Sequence, residues 1–120
     1  MSMPESRITF PDAVFGQLLA GVRKRRGLDQ EALAARIGMS RTALSRLERG
    51  DSSANLPTII KLSDALGFQS VSDLMAEYEA AECSIRERGV NVVGKDEAKG
   101  DGALLALVGV AALAALLSAR

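Results

Sequence analysis

The sequence predicts an all-α fold in which five short helices form one small domain, followed by a linker and a C-terminal hydrophobic helix. Three observations lead to this prediction. Apolar residues recur at helical spacing between residues 12 and 88, and glycines or capping polar residues stand at the boundaries of these segments. Residues 103–117 then contain no polar side chain. A chain of 120 residues has room for one such domain and an appendage.

The residue types present exclude several kinds of chemistry. The chain has no histidine and a single cysteine, Cys83. A disulfide framework within the chain, a zinc site and a Cys/His or Ser/His catalytic pair are therefore excluded. We expect a protein that is not an enzyme, that uses no cofactor or metal, and whose natural compartment is the reducing cytoplasm.

Charge is unevenly distributed, although the net charge is zero. Residues 23–49 contain eight basic and three acidic residues, a balance of +5, whereas residues 71–101 contain four basic and eight acidic residues, a balance of −4. A basic region of this kind is the electrostatic footprint expected of a protein that binds phosphate groups.

The first element follows a short polar segment. Residues 1–11 lack the apolar core of a signal peptide and predict a flexible N-terminal arm. Asp12 is placed to cap a first helix that runs to about Arg26, where Gly27 ends it. Apolar residues share one face of this helix: Val14, Phe15, Leu18, Leu19 and Val22.

Two short helices joined by a tight turn come next, between residues 30 and 50. Asp29 is placed to cap the first of them, and Gly38 can take the left-handed conformation that the turn requires. Ser40 is placed to cap the second helix, residues 41–49, and Gly50 closes it. The outward face of the second helix carries Arg41, Thr42, Ser45 and Arg46.

This stretch resembles the helix-turn-helix family of phage repressors and Cro proteins, and the resemblance extends from Phe15 to Leu74. It rests on a run of compatible signals: Gln30, Ala34, Gly38, Ser40, Leu44 and the ending LERG. The resemblance implies a five-helix, lambda-repressor-like DNA-binding domain over residues 12–88. In that family the second helix of the pair reads base edges in the major groove, while the first lies across the DNA backbone.

The resemblance also implies roles for individual residues. Arg41, Thr42 and Arg46 are expected to read bases, and Ser45 is a weaker candidate. Phosphate contacts are expected from Gln30, Ser40, Arg25, Ser52 and Asn55. Arg23 and Glu48 are expected to form a partly buried ion pair that ties the first helix to the recognition helix. Without the resemblance, the exposed side chains would form an ordinary solvated face, and Glu48 would be a surface acid.

Two more helices are predicted after the recognition helix. Pro57 suits the first turn of a fourth helix that ends at Gly67, and Ser70 or Ser72 is placed to cap a fifth helix running to about Arg88. Along this long fifth helix, Leu74, Tyr78 and Ile85 either form a dimer contact or complete the core of the protomer. A dimer would present two recognition helices about 34 Å apart and would require a palindromic operator.

The C-terminal part divides into a linker, residues 89–102, and a hydrophobic helix, residues 103–118. The segment GVNVVG at residues 89–94 is either a short strand or the start of the linker. As a helix the tail would be about 25 Å long, short of the roughly 30 Å hydrocarbon layer of a membrane. It therefore serves either as a marginal anchor to the inner membrane or as a helix for oligomerisation or partner binding.

Together these features predict a sequence-specific DNA-binding transcriptional regulator, a dimeric repressor that reads the major groove with residues 41–49. Two alternatives belong to other classes. One is a membrane-tethered interaction module similar to bacterial cytoskeletal adaptors of the RodZ type. The other is an antitoxin that binds its own operator and uses the tail to hold a toxin.

Overall fold

A computed structural model describes residues 6–94 and 105–118. The six helices in these ranges are α1 (Pro11–Arg25), α2 (Gln30–Ile37), α3 (Arg41–Arg49), α4 (Leu56–Ala65), α5 (Val71–Glu87) and α6 (Val110–Ser118). The three strands are β1 (Ser6–Thr9), β2 (Val90–Val92) and β3 (Leu105–Leu107). The fold is mostly helical, and the predicted five-helix domain followed by a C-terminal helix is confirmed.

Short polar side chains begin four of the helices; the caps at Asp29, Ser40 and Ser70 were predicted, whereas the cap at Asn55 was not. Asp29, Ser40, Asn55 and Ser70 each accept a hydrogen bond from the backbone N–H three residues later, at 2.7, 3.1, 3.0 and 3.2 Å. In α1 the predicted cap is wrong. This helix begins at Pro11, and the preceding residue is Phe10, which makes no side-chain cap. Asp12 lies inside the first turn, where its Oδ2 accepts a hydrogen bond from the Ser53 hydroxyl at 2.6 Å.

The main core lies where α1, α2, α3, α4 and α5 meet. Its fully buried members come from all five helices and include Leu19, Leu33, Leu44, Leu62 and Leu74. Leu28, Ile59, Phe68 and Met75 pack against this cluster with part of their surface exposed. Because Leu74 has no accessible surface, it completes the core of the protomer and offers nothing to a second chain.

A small parallel sheet was not predicted. Its strand order is β2-β1-β3, so the segment nearest the N-terminus is the central strand. Ile8 is paired with Asn91 on one side and with Leu107 on the other. The expectation of a flexible arm is therefore corrected for residues 6–9, where paired backbone and the burial of Ile8 and Thr9 fix the chain. Residues 1–5 lie outside the described residues.

The segment GVNVVG was predicted to be either a short strand or the start of the linker, and it contains the strand β2. The strand forms because Val90 and Val92 face a second core. Val90 and Val92 are buried there with Val14, Ala81, Ile85 and Leu113. The burial of Ile85 within the protomer removes it as a dimer contact. Residues 95–102 of the predicted linker lie outside the described residues.

The hydrophobic tail is folded back onto the domain. Where the sequence predicts one helix over residues 103–118, the structure places β3, a break at Val108 and Gly109, and the nine-residue helix α6. Residues 103 and 104 lie outside the described residues. Leu113 is fully buried in the second core, and Leu116 and Leu117 pack against it. Within residues 6–94 and 105–118, no helix combines the length and apolar character needed to cross a membrane.

Candidate nucleic-acid interface

The residues predicted to read bases lie together on the outward face of α3. Arg41, Thr42 and Arg46 are exposed, and Ser45 is half-buried. None of these four side chains makes a hydrogen bond or ion pair with the described part of the chain, so their polar groups remain available to a ligand. On the opposite face Leu44 and Leu47 are buried in the main core. The helix is thus anchored on one side and open on the other.

A buried ion pair fixes α3 against α1. Arg23 Nε lies 2.8 Å from Glu48 Oε2, and Arg23 Nη2 donates to Glu48 Oε1 at 3.0 Å. Only 7% of Arg23 and 3% of Glu48 is accessible to solvent. The third guanidinium nitrogen, Nη1, donates to the backbone oxygen of Leu28 at 2.9 Å. This bidentate geometry is the strong form of an arginine–carboxylate pair, and it sets both the depth and the rotation of α3.

Two glutamines extend the contacts around Glu48. Gln30 donates from Nε2 to Glu48 Oε1 at 2.9 Å, which joins the first residue of α2 to the same carboxylate. Gln17 of α1 donates from Nε2 to the backbone oxygen of Glu48 at 2.8 Å. That carbonyl belongs to the last turn of α3, where no partner exists within the helix. Three helices therefore meet at one residue of the recognition helix.

Gly16 permits the close crossing of α1 and α3, and the sequence reasoning missed it. A Cβ atom at this position would lie 2.3 Å from the backbone oxygen of Leu47 and 2.6 Å from that of Glu48. No larger residue fits while the helices keep this separation. An isolated glycine inside a helical pattern was the available signal, since it costs about 1 kcal/mol relative to alanine unless packing requires it.

The residues predicted to contact phosphate occupy several different positions. Ser40 is exposed at the amino end of α3, where its Oγ accepts the Ala43 N–H. Asn55 plays the same role for α4, and Ser52 is half-buried in the loop before it. Arg25 is exposed but lies beside the tail, in a cavity of about 120 Å³ that it lines with Leu117 and Ser118.

Part of the basic region also faces away from α3. Arg36 Nη1 approaches the backbone oxygen of Ala65 at 3.5 Å, and the Arg26 guanidinium lies beside Gly67, just after α4. Both cations thus sit at the negative end of α4, where they stabilise that helix. Arg49, at the end of α3, is paired with Asp51 at 3.4 Å, and both side chains are more than half exposed. Such a surface pair contributes little stability.

The site consists of two helices joined by a glycine turn, and the second helix has a cationic outward face and a buried inward face. This arrangement defines a helix-turn-helix DNA-binding protein.

The comparisons with known proteins agree. The family model described as HTH_3, helix-turn-helix, matches residues 19–74. The immunity repressor protein of Bacillus phage phi105 is 30% identical over 96 residues, which cover 72% of this chain and 67% of the relative. The control protein C.MunI of Mycoplasma sp is 36% identical over 66 residues, covering 54% of this chain and 88% of the relative.

A solved structure shows the same fold. The clp gene regulator ClgR from Corynebacterium glutamicum superposes with a TM-score of 0.61 at 25% identity, covering 66% of this chain and 83% of that chain. The chain belongs to the HTH_3 family, the XRE-type helix-turn-helix family, and is a DNA-binding transcriptional regulator. The resemblance inferred from residues 30–50 is confirmed.

Proposed function

We propose that the protein is a sequence-specific repressor that inserts α3 into the major groove and occludes a promoter. The observation that carries this proposal is the combination of an exposed Arg41, Thr42 and Arg46 with the buried Arg23–Glu48 pair beneath them. Base reading requires side chains that are free to bond and a helix that does not rotate. Each arginine can pair with the O6 and N7 of a guanine, and Thr42 can contact a thymine methyl group.

Gln30 is proposed to hold a phosphate next to the recognition helix. One hydrogen of its Nε2 is directed to Glu48 Oε1, and the amide nitrogen carries a second hydrogen that can be donated to a phosphate oxygen. Gln30 also stands at the amino end of α2, where unpaired backbone N–H groups favour an anion. Contacts of this kind fix the register on the duplex and carry no sequence information.

We also propose that two copies of the protein bind a palindromic operator with twofold symmetry, and that the protein has no enzymatic activity. A single α3 reads only a few base pairs, because three or four side chains reach the base edges. Two copies related by a twofold axis would double the number of bases read and would place the recognition helices about 34 Å apart. Cytoplasmic location follows from the proposed access to DNA.

The test is selection of bound duplexes from a random pool, followed by affinity measurements at several salt concentrations. We expect Arg41→Ala to lose about 1–3 kcal/mol on the selected sequence and to relax preference at one position in each half-site. Gln30→Ala should weaken binding to all sequences alike and leave the slope of log affinity against log salt nearly unchanged, because a neutral amide that contacts a phosphate displaces no counterion.

Arg36→Ala is the matched control, because it removes an exposed arginine that faces α4 and not the proposed DNA surface. It should retain the base preference of the unmodified protein. Equal effects of Arg41→Ala and Arg36→Ala, with base preference unchanged in both, would contradict base reading by α3.

A further inference from the structure

A cleft of about 340 Å³ lies between the end of the recognition helix and the tail. One side is formed by residues 49–51, which end α3 and begin the next loop, and the other side by residues 107–110 of the tail. Leu107 and Val110 are 62% and 41% accessible there, although most leucines and valines in the described residues are less exposed. The cleft therefore has a charged side and an apolar side, and its volume lies in the range of small-molecule pockets.

Both sides of this cleft are held in place by backbone contacts. The end of α3 rests directly on the first turn of α1, since a Cβ atom added at Gly50 would lie 2.6 Å from the Cα of Ala13. On the tail side, the Val108 N–H donates to the backbone oxygen of Ile8 at 2.8 Å. Because the cleft is formed before any ligand arrives, little conformational entropy is lost when a ligand binds.

The ion pair between Arg49 and Asp51 lines the cleft and keeps unused hydrogen-bonding groups. Arg49 Nε lies 3.4 Å from Asp51 Oδ2, and both side chains are more than half exposed. Within residues 6–94 and 105–118, the two terminal guanidinium nitrogens and Asp51 Oδ1 have no further partner. Such a guanidinium edge can hold a carboxylate through two parallel hydrogen bonds, and a carboxylate oxygen can accept from an ammonium group. The pair therefore offers adjacent positions for one anionic and one cationic group.

We propose that this cleft binds a free α-amino acid with a large apolar side chain. The carboxylate of the ligand pairs with the terminal nitrogens of Arg49, and its ammonium group donates to Asp51. The side chain of the ligand packs against Leu107 and Val110, which removes their exposed surface from water. An α-amino acid carries both charges on one carbon atom, which is the arrangement that the adjacent Arg49 and Asp51 groups match.

Charge complementarity favours this class of ligand over singly charged molecules. A fatty acid would bring its carboxylate next to Asp51, and an alkylamine would bring its ammonium group next to Arg49, so each would meet one like charge. A zwitterion meets an opposite charge at both positions. A protein partner fits poorly, because the described residues expose only two large apolar side chains at this cleft, whereas a stable protein interface buries about 800 Å² on each partner.

The experiment is calorimetric titration of the full chain with L-leucine in the absence of DNA, so its outcome does not depend on base reading by α3. We expect a dissociation constant on the order of 1 mM or lower, as for a small ligand in a cleft open to solvent. Three related compounds serve as comparisons: isocaproate, which lacks the ammonium group, isoamylamine, which lacks the carboxylate, and glycine, which lacks the apolar side chain. Each should bind at least about tenfold more weakly than leucine.

Two variants test the charged side of the cleft. Arg49→Gln and Asp51→Asn should each weaken leucine binding about tenfold. Asp51→Asn should also bind isocaproate more tightly than the unmodified protein does, because the like charge is gone, and Arg49→Gln should do the same for isoamylamine. A purely structural effect of the substitutions would not reverse the ligand preference in this way. Arg36→Gln is the matched control, since it removes an exposed arginine beside α4, and it should leave leucine binding unchanged.

Several outcomes would overturn this assignment of the cleft. They are the absence of saturable leucine binding, equal affinity for leucine and isocaproate, and equal weakening of leucine binding by Arg36→Gln and Arg49→Gln. Sedimentation of the unmodified protein and of Val110→Lys tests the remaining occupant. A dimer that Val110→Lys converts to monomers would show that a second copy of the chain occupies the cleft in place of an amino acid.

Discussion

Replacing Gly16 with alanine should separate α1 from the recognition helix. The added Cβ would lie 2.3 Å from the backbone oxygen of Leu47 and 2.8 Å from the backbone carbon of Glu48, whereas ordinary contacts begin near 3.4 Å. Both obstacles are backbone atoms of a helix, so they cannot rotate away. The two helices must move apart by about 1 Å, which also lengthens the bond from Gln17 to the Glu48 carbonyl.

The magnitude follows from two opposing effects. Overpacking of a core costs about 1–3 kcal/mol, and the higher helix propensity of alanine offsets up to about 1 kcal/mol of this. Because the clash is with backbone atoms, the cost should lie in the upper part of this range, and a net loss of about 1–3 kcal/mol corresponds to a decrease in Tm of roughly 3–18 °C for a domain of this size. Gly21→Ala is the matched control on the same helix, because nothing lies within 4 Å of its added Cβ. Its Tm should rise by a few degrees, since only the propensity gain of up to about 1 kcal/mol applies.

The assay is thermal unfolding followed by circular dichroism, together with affinity for the selected duplex. Gly16→Ala should lose both stability and affinity, since a displaced α3 no longer presents its arginines in the same register. A Gly16→Ala variant with a Tm equal to or above that of the unmodified protein would show that the helices are not in contact at this point.

Three further predictions concern buried or half-buried polar groups. Glu48→Ala should cost about 3–5 kcal/mol in denaturant unfolding, because Arg23 would stay buried without its carboxylate; a loss below about 1 kcal/mol would place the pair on the surface. Thr9→Val should leave stability unchanged or raise it by about 1–3 kcal/mol, because the Thr9 hydroxyl is buried without a hydrogen-bond partner in the described residues; clear destabilisation would reveal a partner for that hydroxyl. Burial, with a hydrogen bond to Glu82, raises the pKa of Tyr78 above its ordinary value of 10, so the neutral phenol is favoured in the folded state. The contribution of the neutral Tyr78 phenol to the free energy of unfolding is complete below pH 10 and is lost as the pH rises further. Tyr78→Phe should therefore remove this part of the loss of stability at alkaline pH. An identical loss of stability in both proteins would contradict the prediction.

The helical domain could be predicted because its signals are local. Each cap and each turn glycine acts within four residues, so Asp29, Ser40 and Gly38 could be assigned from their neighbours alone. The outward face of α3 followed from its helical period. The Arg23–Glu48 pair, in contrast, joins residues 25 apart, and only the family resemblance indicated it.

The sheet could not be predicted because its pairing is not local. Residues 6–9 gain partners from residues 90–92 and 105–107, which no local pattern connects. β1 is only four residues long, SRIT, and contains one apolar residue, Ile8, so it has no alternating pattern that would distinguish a strand from an extended arm. The same limit applies to the dimer candidates, since burial of Ile85 depends on the second core that the sheet and α6 complete.

The docking of the tail onto the domain was not predicted, because leucine and alanine were counted together as apolar. In α6 the three leucines, at positions 113, 116 and 117, face the second core, while Ala111, Ala112 and Ala115 are exposed. This spacing of i, i+3 and i+4 is that of an ordinary amphipathic helix. Here the two faces differ in the size of their side chains and not in polarity. Alanine tolerates exposure because it presents little apolar area and favours the helix. A helix that is apolar on every side can therefore dock onto its own domain when its leucines lie on one face, and the size pattern, read from the sequence, would have predicted this docking.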